Sequence, residues 1–374
     1  MGAINKSDSI TIFQLILLFM TAIGLKNHVI IIPALIQTAG RDAWMCCVIT
    51  FLLTFGWIPL LLYIQKKTNQ EKLFEWIRKH KWSGTGSFIS ITVIFYLSLA
   101  VVVTLKETII WVKIAFLPET PVFFMILLFM LVCLSLAATS LRTISIVNVF
   151  LLFFIFILGF FVAITNFQVK QYSLLLPFLE HGPIPVFKSM IFQASGMVEM
   201  LIYIFLQHKI TMPIRFRHFF VASVILTGLT IGPLLGAIAE FGPVEAANQR
   251  FPAYEEWGLV SLGHFIEHMD FLSIYQWLSG TFIRVSLIFF IIREICPFEK
   301  KTRKWIWSIL FVFIMALTLW PLSDFVYSKL LLQHLLPLTF WVFMALSIFL
   351  GLFVMLLSKR SGGAKNALQE RKIH

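Results

Sequence analysis

The residues of this sequence that could do chemistry are a few charges set inside long apolar runs. Lys26 stands in FMTAIGLKNHVIIIP, Glu107 in VVVTLKETIIW, Glu199 in FQASGMVEMLIY and Arg284 in GTFIRVSLIFF. A lone charge at the centre of a bilayer costs about 3 kcal/mol or more, so each needs a partner, a water-lined cavity or a ligand. Lys26, Glu107 and Glu199 are expected to converge. A Lys–Glu pair there would hold two helix halves together or sense a zwitterion. Arg284 is expected to snorkel toward one membrane face. Lys106, about 100° round a helix from Glu107, is expected to point outward.

Each of two runs carries a charge inside a polar interruption. Thr21, Gly24, Lys26, Asn27 and His28 interrupt the first, and Gln193, Ser195, Gly196 and Glu199 interrupt the other. A helix broken at such a place offers N–H donors and a positive dipole end to a carboxylate. Its unwound carbonyls suit an ammonium group or a sodium ion. An α-amino acid matches both. The expected pocket is built from Thr21, Gly24, Lys26, Asn27, Ser195, Gly196 and Glu199. Glu107 joins from the third apolar run, and Tyr275, Leu278 and Thr281 from one face of the eighth.

One motif invites a metal: His264, Glu267 and His268 match the H-x-x-E-H zinc pattern. The run falls at the mouth of a predicted span, and no third ligand has a recognisable context although Asp270 is near. A wet interfacial patch is expected, without metal or cofactor. Cys46, Cys47, Cys133 and Cys296 lie in or beside apolar runs and read as free packing thiols. No phosphate-binding loop and no nucleophile elbow is present, so no enzyme activity is expected.

These residues need elements to hold them, and composition says what kind. Of 374 residues, 59% are hydrophobic and 13% charged. A soluble domain carries about 25% charged residues. The balance excludes a soluble enzyme, a disordered chain and a collagen-like chain. Ten segments are long and apolar enough to span a bilayer as helices, at roughly 20 residues each. They fall near 10–36, 43–64, 86–116, 121–139, 143–165, 185–208, 216–240, 262–292, 305–320 and 330–357.

The net charge of +12 then becomes an orientation signal rather than a nucleic-acid footprint, because most of the 30 basic residues cluster in alternate loops. The positive-inside rule puts both termini in the cytoplasm. Residues 69–80 read as a short amphipathic helix on the inner surface. FPAYEEW in the longest outer loop reads as a small ordered cap.

Ten spans divide as five plus five, and an odd number per half inverts the second half. That is the arrangement of transporters with inverted repeats, in which the first helix of each half is broken near mid-membrane. The expected fold is all-α and polytopic: a single integral membrane domain over 1–374 with a five-plus-five inverted repeat (LeuT-like) and broken helices one and six. The repeats cover about 10–165 and 185–357, and a flexible basic tail covers 358–374.

The stretch FPAYEEWGLVSLGHFIEHMDFLSIYQWLSGTFIRVSL (251–287) resembles the B-subunits of spore germinant receptors. Residues 24–44 and 232–257 support this, and the resemblance extends over essentially the whole chain. That family lies within the amino acid–polyamine–organocation transporters. The resemblance implies a sensor in the spore inner membrane that binds a small germinant, typically an amino acid. Its implied partners are an A-type membrane subunit and a C-type lipoprotein subunit. The superfamily often has a G-x-G stretch where the ligand carboxylate docks; here Gly24 is followed by Leu25 and Lys26. Lys26 then either meets the carboxylate directly or pairs with an acid and leaves the site sodium-independent. The alternative reading is a secondary transporter of amino acids or cations.

Overall fold

The computed structural model describes residues 8–80, 83–261 and 269–370. The H-x-x-E-H run lies outside the described residues. Helices dominate throughout, and the described residues contain no strand beyond an isolated bridge between Ile10 and Ile210. In chain order the helices are α1 (Ile12–Leu25), α2 (Ile32–Ala39), α3 (Ala43–Lys67), α4 (Leu73–Lys79), α5 (Ser83–Ala115), α6 (Val122–Ala137), α7 (Leu141–Thr165) and α8 (Ile184–Met197). They continue as α9 (Ile202–Leu206), α10 (Phe216–Phe241), α11 (Pro243–Asn248), α12 (Pro252–Gly258), α13 (Ser273–Ile295), α14 (Lys300–Leu319), α15 (Asp324–Leu330) and α16 (Leu336–Glu370).

Eight helical stretches of the described residues are long and apolar enough to cross a membrane, and the chain reads as an integral membrane protein. They are Ile12–Ile30, Ile32–Lys67, Gly84–Ala115, Leu141–Gln168, Ile184–Lys209, Phe216–Phe241, Thr302–Leu319 and Asp324–Ser358. Two further expected spans are of another kind. Val122–Ala137 is apolar but only 16 residues long. Ser273–Ile295 carries Arg284, Arg293 and Glu294 and is buried in protein along most of its length. Outward faces are greasy, as lipid requires: Phe150, Phe153 and Phe160 of α7 are all exposed.

Both interruptions read from the sequence are changes of helical pitch rather than unwound gaps. After α1, Lys26–Ile30 form a π-turn closed by the Ile31 N–H on the Lys26 carbonyl at 3.1 Å. After α8, Val198–Leu201 form a 3-10 turn. A third irregular turn, Leu331–Leu335, is again π and joins α15 to α16. The backbone stays hydrogen-bonded through such turns, while the side chains step off the regular helical face.

The end of the molecule carrying α4 is tied shut. Ile10 pairs with the segment after α9, its N–H donating to the Lys209 carbonyl at 2.9 Å. The Gln70 amide donates to the carbonyls of Gln207 and Ile210 at 2.9 and 2.8 Å. Helix α4 is amphipathic as expected, but its apolar face (Leu73, Phe74, Trp76, Ile77) is buried. Phe74 stacks on Phe205, so this face covers protein rather than the membrane surface. At the opposite end the FPAYEEW segment folds as α12, with Pro252 at its first turn and Glu256 and Trp257 buried.

Candidate functional site

The central site lies where the first π-turn meets the 3-10 turn. Lys26 Nζ lies 3.0 Å from Glu199 Oε1 and donates to the Ser195 carbonyl at 2.9 Å. From α13, Arg284 donates to Glu199 Oε2 at 2.7 Å and to Oε1 at 2.9 Å. Arg284 also donates to the Ala22 carbonyl and, through Nε, to Thr104 Oγ1 at 3.1 Å. All three charged side chains are buried, Lys26 at 4%, Glu199 at 2% and Arg284 at 3% exposure. With all three groups ionised, one carboxylate faces two cations in a low-dielectric interior and one positive charge is in excess. Burying ions is expensive unless they are paired and hydrogen-bonded, so this surplus favours an added anion.

Sequence reasoning anticipated the Lys26–Glu199 pair but not Arg284, which was expected to snorkel toward a membrane face. The bidentate geometry explains the difference: the planar guanidinium matches a carboxylate that no other group satisfies fully. Glu107 is not in this cluster. It lies 2.6 Å from Arg250 of the α11–α12 segment, which also reaches Asp324 at 3.3 Å. Lys106 does not point outward; it is buried and donates to the Trp320 carbonyl at 2.7 Å.

The other expected site residues divide. Asn27 packs against Gly196 so closely that a Cβ there would lie 1.8 Å from Asn27 Oδ1. Both polar atoms of the buried Asn27 amide, and both of Gln193, have no hydrogen-bond partner among the described residues. The Ser195 hydroxyl turns back onto the Phe192 carbonyl at 2.7 Å, and its own carbonyl receives Lys26. Thr281 shares a 2.8 Å hydrogen bond with Thr108 of α5. The Tyr275 hydroxyl donates to the Leu151 carbonyl at 3.3 Å, away from the charged cluster. Leu278 packs in the apolar cluster around the first π-turn and α2. Thr21 and Gly24 line a separate, larger chamber.

Beside the Lys26–Glu199–Arg284 cluster is a free space of about 30 Å³, bounded by Tyr96, Ala100 and Thr339. Room of that size suits about one water. Its apolar wall includes Leu331 and Leu335 of the second π-turn and Ile30 of the first. Two π-turns thus face one charged pocket. Such turns gather at functional sites because they place side chains that a regular helix cannot. The only trace of the second in the sequence is the polar pair Gln333–His334 inside an apolar run.

Comparison with known proteins bears on this architecture. A family model described as "Spore germination protein" matches residues 8–325. The chain is 42% identical over 333 residues to "Spore germination protein XB" of Bacillus anthracis, covering 88% of this chain and 93% of that protein. It is 22% identical over 272 residues to "Putative spore germination protein YfkT" of Bacillus subtilis (strain 168), covering 72% of this chain and 73% of that protein.

Proposed function

The chain belongs to the spore germination protein family, and from that premise we propose that it is the B-subunit of a nutrient germinant receptor. It sits in the spore inner membrane with both termini in the cytoplasm. There it works with an A-type membrane subunit and a C-type lipoprotein subunit. We read α6 and α13 as the short span and the charged span that bring eight to ten, arranged as the five-plus-five inverted repeat.

The observation that carries the ligand reading is the charge imbalance at Glu199. Lys26 and Arg284 both contact this single carboxylate at 2.7–3.0 Å. The carboxylate of an incoming amino acid offsets the surplus, and Lys26 is the cation free to turn to it, since Arg284 alone still satisfies Glu199. The unpartnered amide of Asn27 supplies polar contacts for the rest of the ligand. A space of about 30 Å³ is smaller than any amino acid. Binding therefore has to push back the wall that includes the second π-turn. That displacement is the signal, and it separates a receptor from a rigid ligand store.

The test is germination of spores lacking this gene across a panel of amino acids and sugars. Loss of response to one nutrient, restored by the wild-type gene and not by Glu199→Ala at equal protein level, supports the reading. Unchanged responses to every nutrient contradict it. The transporter alternative predicts nutrient-dependent uptake of label by vesicles containing this chain alone.

A further inference from the structure

A second cavity, much larger than the charged central pocket, lies elsewhere among the described residues. A chamber of about 500 Å³ lies between α1, α7, α10, α12 and α13. It shares no lining residue with the central space. Glycines line it on three helices: Gly159 of α7, Gly228 and Gly232 of α10 and Gly280 of α13. A Cβ added at Gly228 or Gly232 would meet nothing within 4 Å, so the room there is not used for helix packing. Most of the wall is apolar, including Met20, Phe156, Leu229 and Trp277. This size and lining match small-molecule sites, which run to about 300–1,000 Å³ with few polar groups.

Thr21 and His28 line the α1 side, and the acidic and basic side chains stand at the α12 end. Lys170 and Glu256 both line the chamber. Lys170 Nζ lies 3.4 Å from Glu240 Oε1, so this cation is already matched by one carboxylate. Asn166 Nδ2 donates to Glu240 Oε2 at 3.2 Å and to the Glu256 backbone carbonyl at 2.7 Å, which ties the two elements together. Glu256 is left over. Its side chain is more than nine-tenths buried, and Oε1 has no hydrogen-bond partner among the described residues. Gly236 lets it lie this deep: a Cβ there would be 2.6 Å from Glu256 Oε2. A buried carboxyl with one oxygen left without a partner is an expensive group, and a donor bearing positive charge relieves it best by favouring its charged form.

We propose that this chamber binds small organic cations with an apolar body, the Glu256 carboxylate receiving the ammonium group. The central pocket favours an anionic group; this one has the opposite preference and takes the hydrophobic part as well. The inference goes beyond the germinant reading and stands or falls apart from it, because its readout is binding and not germination.

The experiment is saturable binding of radiolabelled phenethylamine to the full-length chain in lipid nanodiscs, competed by unlabelled phenethylamine and by phenethyl alcohol, its neutral near-isostere. The expected result is that the alcohol competes at least tenfold more weakly than the amine. Glu256→Gln should remove that preference. Lys170→Gln should strengthen amine binding, because Glu240 then adds its charge. Gly232→Phe, which fills the open space, should weaken amine and alcohol together. Absence of saturable amine binding to the wild-type chain overturns the proposal. So does equal competition by amine and alcohol, which marks a general apolar slot. The wild-type comparison needs no variant, so misfolding of Glu256→Gln leaves the test intact.

Discussion

Arg284 grips Glu199 with two hydrogen bonds, at 2.7 and 2.9 Å, although the two residues lie on different helices 85 positions apart. Lys26 contacts the same carboxylate from a third element. The two cations are not equivalent. Arg284 matches the carboxylate in a bidentate fork, whereas Lys26 holds one oxygen and a backbone carbonyl.

The first prediction concerns stability. Leaving a buried acceptor without its hydrogen bond costs about 1–3 kcal/mol, and more for a charged group. Arg284→Met leaves the Glu199–Lys26 pair with an unsatisfied oxygen and should lower the melting temperature of the purified protein clearly. Lys26→Met leaves the neutral Glu199–Arg284 pair and should cost much less, or nothing. Equal losses for the two would mean that the cations share the carboxylate evenly. Thermal unfolding of both variants in the same detergent decides it.

A second prediction follows from the contact of Gly196 with Asn27. Gly196→Ala sets a methyl group 1.8 Å from Asn27 Oδ1, so the amide must move or the helices must part. Overpacking of this kind costs about 1–3 kcal/mol. Asn27→Gly removes the obstacle. The double variant should therefore be more stable than Gly196→Ala alone, as thermal unfolding of the three proteins would show.

The cap yields a third. Arg250 bridges Glu107 of α5 and Asp324 at the start of α15. Glu107 is buried at 1% exposure, so Arg250→Leu strands its charge. The single variant should be strongly destabilised, and adding Glu107→Gln should recover most of the loss. A double-mutant cycle measures the coupling. Additive losses would show that Arg250 acts on α15 alone.

A fourth concerns pH. Burial, reinforced by the Glu240 charge and opposed by Lys170, pushes the Glu256 carboxyl above its ordinary value of 4.5. The folded state therefore holds this proton to higher pH than the unfolded chain does. The group's contribution is fully present below about pH 4.5 and is lost as pH rises toward the folded value. Glu256→Gln removes that loss. The variant should melt higher than wild type at pH 8, with the gap closing on acidification. A gap that is constant with pH would show that Glu256 is not carrying the proton.

How far the sequence reached can be read residue by residue. Charges inside apolar runs must be paired, and that rule was enough to join Lys26 to Glu199. It could not choose among cations, so Arg284 was sent to a membrane face. Glu107 reads as a partner of Lys26 because its actual partner, Arg250, lies outside the apolar runs, in the segment between α11 and α12. The pitch changes at Lys26–Ile30 and Val198–Leu201 fall where polar residues interrupted the runs. The turn at Leu331–Leu335 is marked in the sequence only by Gln333 and His334. The 500 Å³ chamber was not legible at all. Gly159, Gly228, Gly232 and Gly280 come from three helices, and single glycines in membrane helices usually mean close packing. Only their meeting in space shows that Gly228 and Gly232 leave room, while Gly280 is packed against Leu25.

The central claim is that Lys26 is the cation kept for the ligand's carboxylate. It is tested most directly by germination dose–response of spores carrying wild-type or Lys26→Met chain, each challenged with the active amino acid and with its amide. On this account the wild type responds to the amino acid with a midpoint at least tenfold lower than to the amide, and Lys26→Met, at equal protein level, abolishes that preference. A Lys26→Met strain that still prefers the acid as strongly as wild type would contradict it.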